Sequence, residues 1–157
     1  QWSSSAASDV YKRQALLMQA VIPKMKEKNF GRIINITSAM VKNPHLIMGL
    51  STSARSGLHG LSKALSREVA QYNITINNVL PERIDTDRQT QILNFQAKLA
   101  DSTYEEAKKE LEETLTAKRM GTVEEFSGIC TFLCSEQAAY ISGQNISVDG
   151  GNSTNLI

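Results

Sequence analysis

The chain is poor in the residues that mark specialised classes of protein. Of its 157 residues, 6% are aromatic, two are cysteine and three are proline, and the net charge is +1. So small a charge argues against the basic surface that nucleic-acid binding requires. Its apolar runs fall far short of the ~20 residues of a membrane-spanning helix. Because 41% of the residues are hydrophobic, we expect a soluble cytoplasmic protein.

Cysteine and glycine are also placed where they build no recognisable site. Cys130 and Cys134 lie one helical turn apart with no histidine nearby, so we expect free buried thiols and no metal centre. The nine glycines never fall in the G-x-G-x-x-G order, nor in another glycine-rich turn between a strand and a helix. A loop that cradles nucleotide phosphates is therefore missing from these residues.

Hydrophobic periodicity instead predicts an α/β fold. Helical spacing covers residues 15–28, 51–71 and 89–117, the last with a Ser102–Glu105 capping pattern, and a fourth helix opens at Thr122–Glu125. In the first of these helices the apolar positions include Leu17, Val21 and Met25. β-Branched runs predict strands over residues 32–37, 74–80 and 144–148. We expect three parallel strands flanked by helices, as in one half of a doubly wound Rossmann-type sheet.

The first 14 residues differ from the rest of the chain. Their sequence, QWSSSAASDVYKRQ, is rich in Ser and Ala and lacks an amphipathic period. It resembles a translated sequencing adapter, so we interpret residues 1–14 as a non-native leader. Residues 15–157 are then expected to be a partial domain whose nucleotide-binding half lies upstream.

Five segments together resemble the short-chain dehydrogenase/reductase family, in particular its ketoreductase-like members related to oxoacyl-carrier-protein reductases. They occur in the same order as in that family. The five segments are GRIINITS (31–38), GLSKALSREVA (60–70), NITINNVLPERIDTD (73–87), RMGTVEEF (119–126) and YISGQNISVDGG (140–151). The resemblance implies a Rossmann-type oxidoreductase that uses NAD or NADP and acts on a small carbonyl or alcohol. It also implies a homo-oligomer formed through the first two helices.

The catalytic positions of the family fall on Ser38, Ser51 and Arg55 in this chain. The family has a Tyr thirteen residues after the Ser and a Lys four residues beyond the Tyr, but Ser51 and Arg55 stand there. A Tyr hydroxyl, with a reference pKa near 10, is a usable acid beside a cation, whereas a Ser hydroxyl is much weaker. Arg supplies charge and hydrogen bonds but cannot usefully release a proton.

Three interpretations of Ser51 and Arg55 remain open. They carry out a modified proton transfer, for example through water; or they form an altered cofactor-binding pair with slow or different chemistry; or they are a plain helix N-cap and a surface arginine. A catalytically inert binding or scaffolding relative is the rival to an enzyme.

The resemblance also implies cofactor contacts after the second strand. Arg55 is expected at the nicotinamide ribose, Thr86 at the carboxamide, and Pro81 and Ile84 around them. The Pro-Gly of the family is Pro81-Glu82 here, which places a carboxylate where backbone usually approaches the nicotinamide. The active-site Asn of the family would fall near Val10.

The chain has two histidines, and sequence alone favours a structural role for one of them. His59 lies within the predicted helix 51–71, where a buried imidazole is usually satisfied by a neighbour. His45 lies in a loop that resembles the substrate side of the family, although a solvated loop residue is the simpler interpretation.

Overall fold

Three parallel strands form the sheet. The computed structural model describes residues 4–156, apart from the side chains of residues 4–8 and of Val10. Its strands are β1 (Gly31–Ile36), β2 (Ile74–Pro81) and β3 (Asn145–Val148), in the order β1-β2-β3. Both neighbours of β2 run parallel to it. The α/β class and the parallel three-stranded sheet are thus confirmed, with strand ends within one residue of those predicted.

The sheet is accompanied by five α-helices within residues 4–156. They are α1 (Ser4–Glu27), α2 (Gly49–Val69), α3 (Asp87–Leu99), α4 (Tyr104–Thr114) and α5 (Val123–Cys134). The helical region predicted over residues 89–117 contains two of them, since Asp101 adopts a left-handed backbone (φ 52°) just after α3 ends. The capping box lies at Thr103 and Glu106, one residue beyond the predicted pattern.

Helix α1 extends further towards the N-terminus than predicted. It begins at Ser4 rather than near residue 15, and Tyr11 packs against the core. The buried positions are Met18 and Ile22, whereas Leu17, one of the apolar positions named from the sequence, is 63% exposed. Apolar side chains occur on several faces of α1, and packing against its neighbours decides which face is buried.

Two apolar layers cover the sheet. Helices α1 and α2 pack on one face through a buried cluster of Met18, Ile22, Leu58, Val69, Ile74 and Ile76. Helix α5 packs on the opposite face, where Val79 meets Leu133 and Ala138. Helices α3 and α4 bury a cluster of their own around Leu93 and Met120. Hence α1 and α2 share one face of the sheet, where they pack against the first half of β2.

A row of hydrogen-bonded asparagines, buried on β1 and β2 and exposed on β3, crosses the three strands. The Nδ2 group of Asn35 donates to Ser62 Oγ of α2 (3.0 Å) and to Asn78 Oδ1 (3.1 Å). Asn78 Nδ2 in turn donates to Asn145 Oδ1 of β3 (2.8 Å). Both Asn35 and Asn78 are at least 95% buried. Because buried amides must be hydrogen-bonded, these contacts fix the register of the strands and the position of α2.

Replacing Asn35 by Ala should destabilise the fold strongly. The change leaves the buried Asn78 Oδ1 and Ser62 Oγ without their donor, and we expect the free energy of unfolding to fall by roughly 2–4 kcal/mol. Urea denaturation followed by circular dichroism measures it. The matched control is Asn94→Ala on the exposed face of α3, which should change stability by less than about 0.5 kcal/mol. Equal losses in both variants would contradict the role given to Asn35.

Candidate active site

Two of the sequence-predicted site residues, Ser38 and Pro81, lie at the carboxyl edge of the sheet. Ile36 pairs with Val79, and Pro81 pairs with Val148. Ser38 therefore follows β1 at the same edge at which Pro81 ends β2. In open parallel α/β sheets this edge is where ligands bind.

Ser38 begins a short turn that packs against α2. Its Oγ accepts a hydrogen bond from Met40 N (3.3 Å) and caps the 3₁₀ turn Ala39–Val41. The preceding Thr37 is bound to the sheet through its backbone N–H, which donates to Val79 O (2.9 Å). The half-buried Ser38 is thus held at the end of β1, and its hydroxyl hydrogen remains free to be donated.

Ser51 and Arg55 are in direct contact on one face of α2. Arg55 Nη1 donates to Ser51 Oγ, and the guanidinium lies 5.2 Å from the centre of the Tyr11 ring. Helix α2 has Met48 as its N-cap, and Arg55 is half-buried. The interpretation of the pair as a helix N-cap and a surface arginine is therefore wrong. The two interpretations in which Ser51 and Arg55 act as an interacting pair are left, and the pair lies in the first two turns of α2.

His59, one turn beyond Arg55, is buried and neutral. Its Nε2 lies 2.8 Å from Thr37 Oγ1, and the residue is only 7% exposed. Burial, with the nearby charges of Lys42 and Arg55, lowers the pKa of His59 to about 4. The neighbour expected from the sequence is therefore present, but it engages only one of the two ring nitrogens.

The segment after β2 is held by backbone contacts to the loop before α5. Ile84 pairs with Gly121, and a Cβ added at Gly121 would lie 2.9 Å from Ile84 Cδ1. Asp85 N donates to Gly121 O (2.8 Å). Thr86 is exposed, and its hydroxyl caps α3 by accepting from Gln89 N (3.4 Å). Thr86 thus has a structural role besides any contact with a cofactor.

Sequence reasoning missed the ion pair that fixes this loop. Arg119 makes two hydrogen bonds to the Glu125 carboxylate, at 2.6 and 2.8 Å, while Glu125 also accepts from Thr122 N. These contacts lower the pKa of Glu125 to about 2, with the Arg119 hydrogen bond as the largest cause. The capping pattern at Thr122 and Glu125 is confirmed, and the arginine three residues upstream of Thr122 was the available signal.

A cleft of about 440 Å³ opens between the Ser38 turn and the C-terminal segment. Its lining includes Met40, His45 and Glu82. One oxygen of Glu82 accepts from Asn152 Nδ2 (2.8 Å). The Nδ2 group of Asn155 donates to Lys42 O (2.7 Å), so the C-terminal segment is tied to both walls. His45 is exposed at this cleft, beside the carboxyl edge.

Among the described side chains of residues 4–156, acidic, His and Cys groups form no cluster of three that could hold a metal ion. Cys134 is exposed and Cys130 is half-buried, so the expectation that both thiols are buried is wrong.

No helix of this described part is both long and apolar enough to cross a membrane. Val10, near which the family's Asn was expected, lies in α1, and its side chain is outside those described.

Comparison with known proteins gives the family. Residues 12–153 match the family model described as enoyl-(acyl carrier protein) reductase. The chain belongs to the short-chain dehydrogenase/reductase family. It is 38% identical over 128 residues to the NADPH-dependent reductase BacG of Bacillus subtilis, covering 82% of this chain and 49% of that protein. It is 35% identical to the 3-oxoacyl-[acyl-carrier-protein] reductase FabG of Aquifex aeolicus, covering 87% and 50%.

Solved structures of the family agree with the observed fold. The chain superposes on YwfH, an NADPH-dependent reductase involved in bacilysin biosynthesis, with a TM-score of 0.81 and 34% identity, covering 88% of this chain and 53% of that one. It superposes on L-sorbose reductase from Gluconobacter frateurii, solved with NADPH and L-sorbose, with a TM-score of 0.82 and 27% identity, covering 89% and 54%. The chain thus spans about half the length of the relatives it matches.

His59 should make the chain less stable in acid. Its pKa is about 4 when folded and 6.5 in the reference state, so the unfolded chain binds the proton first as the pH falls from 6.5 to 4. The stability that His59 contributes is complete above pH 6.5 and is lost across that window, by at most about 3 kcal/mol. In His59→Leu, urea denaturation at several pH values should show a shallower dependence, whereas the exposed His45→Leu control should match the wild type. Identical slopes in all three proteins would contradict a buried neutral His59.

Proposed function

We propose that this chain is the nicotinamide and substrate half of an oxidoreductase that transfers hydride between NAD(P) and a carbonyl or alcohol. The observation that carries the proposal is the contact between Arg55 and Ser51 on α2, the helix whose His59 contacts Thr37, the neighbour of Ser38. Membership of the family and its NADPH-dependent relatives support the same reaction class. When bound, the nicotinamide supplies or accepts the hydride.

The sequence-predicted site residues fit part of a nicotinamide site. Arg55 carries five N–H donors, and only Nη1 is engaged with Ser51, so donors of the Nη groups remain for ribose hydroxyls. The hydroxyl of Thr86 can donate to a carboxamide, and Pro81 and Ile84 supply apolar contacts. One carboxylate oxygen of Glu82 accepts from Asn152, and we assign Glu82 to the lining of the adjoining cleft rather than to the nicotinamide contacts.

Ser38 and Ser51 have different roles at the substrate oxygen. Ser38 donates a hydrogen bond that orients the oxygen, while Ser51 donates the proton when a carbonyl is reduced. Arg55 donates to Ser51 Oγ and so stabilises the alkoxide left behind, which water then reprotonates. Because a Ser hydroxyl is a far weaker acid than that of Tyr, we expect slow proton transfer.

The remaining parts of the proposed enzyme lie outside this chain. A glycine-rich phosphate loop is absent from these 157 residues, so the adenine and pyrophosphate contacts belong to the other half of the parent, and NAD and NADP both remain candidates. We further propose a cytoplasmic homo-oligomer that contacts its copies through α1 and α2. Exposed Leu16 and Leu17 on α1 suit such an interface.

One observation favours a second candidate, a catalytically inert binding subunit. Arg55 Nη1 donates to Ser51 Oγ, so the Ser51 hydroxyl oxygen already has a hydrogen-bond donor when no substrate is bound. A subunit that binds nucleotide but turns over nothing would need no stronger acid.

Alanine variants of the full-length protein separate these candidates. With NADPH and a panel of ketones, Ser38→Ala should lower kcat/KM by about 10²–10³, because it removes a hydrogen bond that strengthens in the transition state. Ser51→Ala should lower kcat with little change in the KM for NADPH, and Arg55→Ala should raise that KM. The matched control is Ser53→Ala on the exposed side of α2, which should leave both constants unchanged. No turnover across the panel with nucleotide binding intact would contradict the enzyme and favour the inert subunit.

A further inference from the structure

Three buried polar side-chain atoms of α2 lack a hydrogen-bond partner in the described part of the chain: Thr52 Oγ1, Arg55 Nε and His59 Nδ1. The last two belong to residues one helical turn apart. An orphaned buried donor or acceptor costs roughly 1–3 kcal/mol, so two of them on neighbouring turns require an explanation. One is a donor that is always protonated, and the other is a ring nitrogen that can accept.

The spacing of these residues places them in one line along the helix. Ser51, Arg55 and His59 follow one another at intervals of four residues, which puts their side chains on the same face. The two outer members are already bound: Ser51 accepts from Arg55, and His59 contacts Thr37 at the end of β1. Only the link between Arg55 and His59 is open.

The protonation state of His59 decides whether it can form that link. In one of the two neutral tautomers, Nε2–H donates to Thr37 Oγ1 and Nδ1 carries a lone pair. The opposite tautomer would bury an N–H donor without an acceptor, which is the rarer defect in proteins. The charged groups that face the ring are Lys42, from the segment after β1, and Arg55, and both disfavour the imidazolium. Tyr11 of α1 covers the guanidinium from the far side.

We propose that His59 is a positioning residue for Arg55: its Nδ1 accepts a hydrogen bond from Arg55 Nε–H, directly or through one water molecule. The chain of contacts then runs from Thr37, next to Ser38, through His59 and Arg55 to Ser51. His59 fixes the plane of the guanidinium, so that its Nη groups face Ser51 and the ribose position of the proposed cofactor. This consequence for the cofactor rests on the proposed function, whereas the hydrogen bond itself does not.

Nuclear magnetic resonance of the ¹⁵N-labelled chain at pH 7, without cofactor, tests the hydrogen bond independently of catalysis. In the wild type we expect the His59 tautomer with the proton on Nε2, and an Arg55 Nε–H signal that exchanges with water at least tenfold more slowly than those of exposed arginines such as Arg67. In His59→Leu the Arg55 signal should lose this protection. In the control His45→Leu, which changes an exposed loop histidine, the protection should remain.

Either of two results would overturn the proposal. One is a proton on His59 Nδ1 in the wild type, a measurement that needs no variant and stays decisive if His59→Leu fails to fold. The other is an Arg55 Nε–H that stays protected in a folded His59→Leu, judged by unchanged amide signals of β1 and β2. A merely structural histidine would leave the Arg55 signal unmoved. Should the hydrogen bond be present while the full-length protein turns over no ketone, the proposed function fails and the positioning role stands.

Discussion

The burial of strand β2 is the constraint on which the other parts of the structure depend. Every residue from Ile74 to Leu80 is buried, and the strand has a hydrogen-bonded neighbour on both sides. Two of these residues are asparagines, so β2 must satisfy amide groups as well as apolar ones. Asn77 meets this requirement towards β3, where its Nδ2 donates to Ile141 O (2.8 Å) and its Oδ1 accepts from Gln144 N (3.0 Å). Asn78 links β1 and β3 on the opposite face.

The candidate site follows from this constraint. With β1 held in register against β2, Thr37 and Ser38 must emerge beside Pro81, and α2 is held above them through Ser62. His59 of α2 then contacts Thr37 at the end of β1, and Arg55 and Ser51 follow on the same helix towards its N-terminus. The site is thus built from short hydrogen bonds to a rigid sheet, which is how side chains are held in the orientation that chemistry requires.

Sequence patterns predicted the elements well and their contacts poorly. The run over residues 74–80 predicted β2 because β-branched residues, which favour strands, occupy four of its seven positions. The inward face of α1 could not be read in the same way, since Leu16, Leu17, Met18 and Ile22 surround the helix and only packing selects among them. The break at Asp101 has no signal in the hydrophobic periodicity, but the capping pattern at Ser102 and Glu105 marked the start of a second helix to within one residue.

The site shows the same division between motif and geometry. Spacing alone assigned Ser38, Ser51 and Arg55 to the family's positions, but only the structure shows that Arg55 donates to Ser51 and stacks near Tyr11. The role of His59 was also hidden, because a histidine in an amphipathic helix looks the same whether one of its nitrogens is bound or both. Hydrogen bonds between distant segments depend on the fold, and a single sequence does not record them.

Nuclear Overhauser effects between the strands of the labelled chain test most directly whether β2 orders its neighbours. We expect backbone contacts of a parallel sheet that pair Ile33 with Ile76 and Val79 with Ile146, together with contacts from the Asn35 side-chain amide to Ser62 and Asn78. A shift of the β1–β2 register by one residue would turn Asn35 and Thr37 away from α2. Such a shift, or antiparallel contacts, would contradict the fold and the site described above.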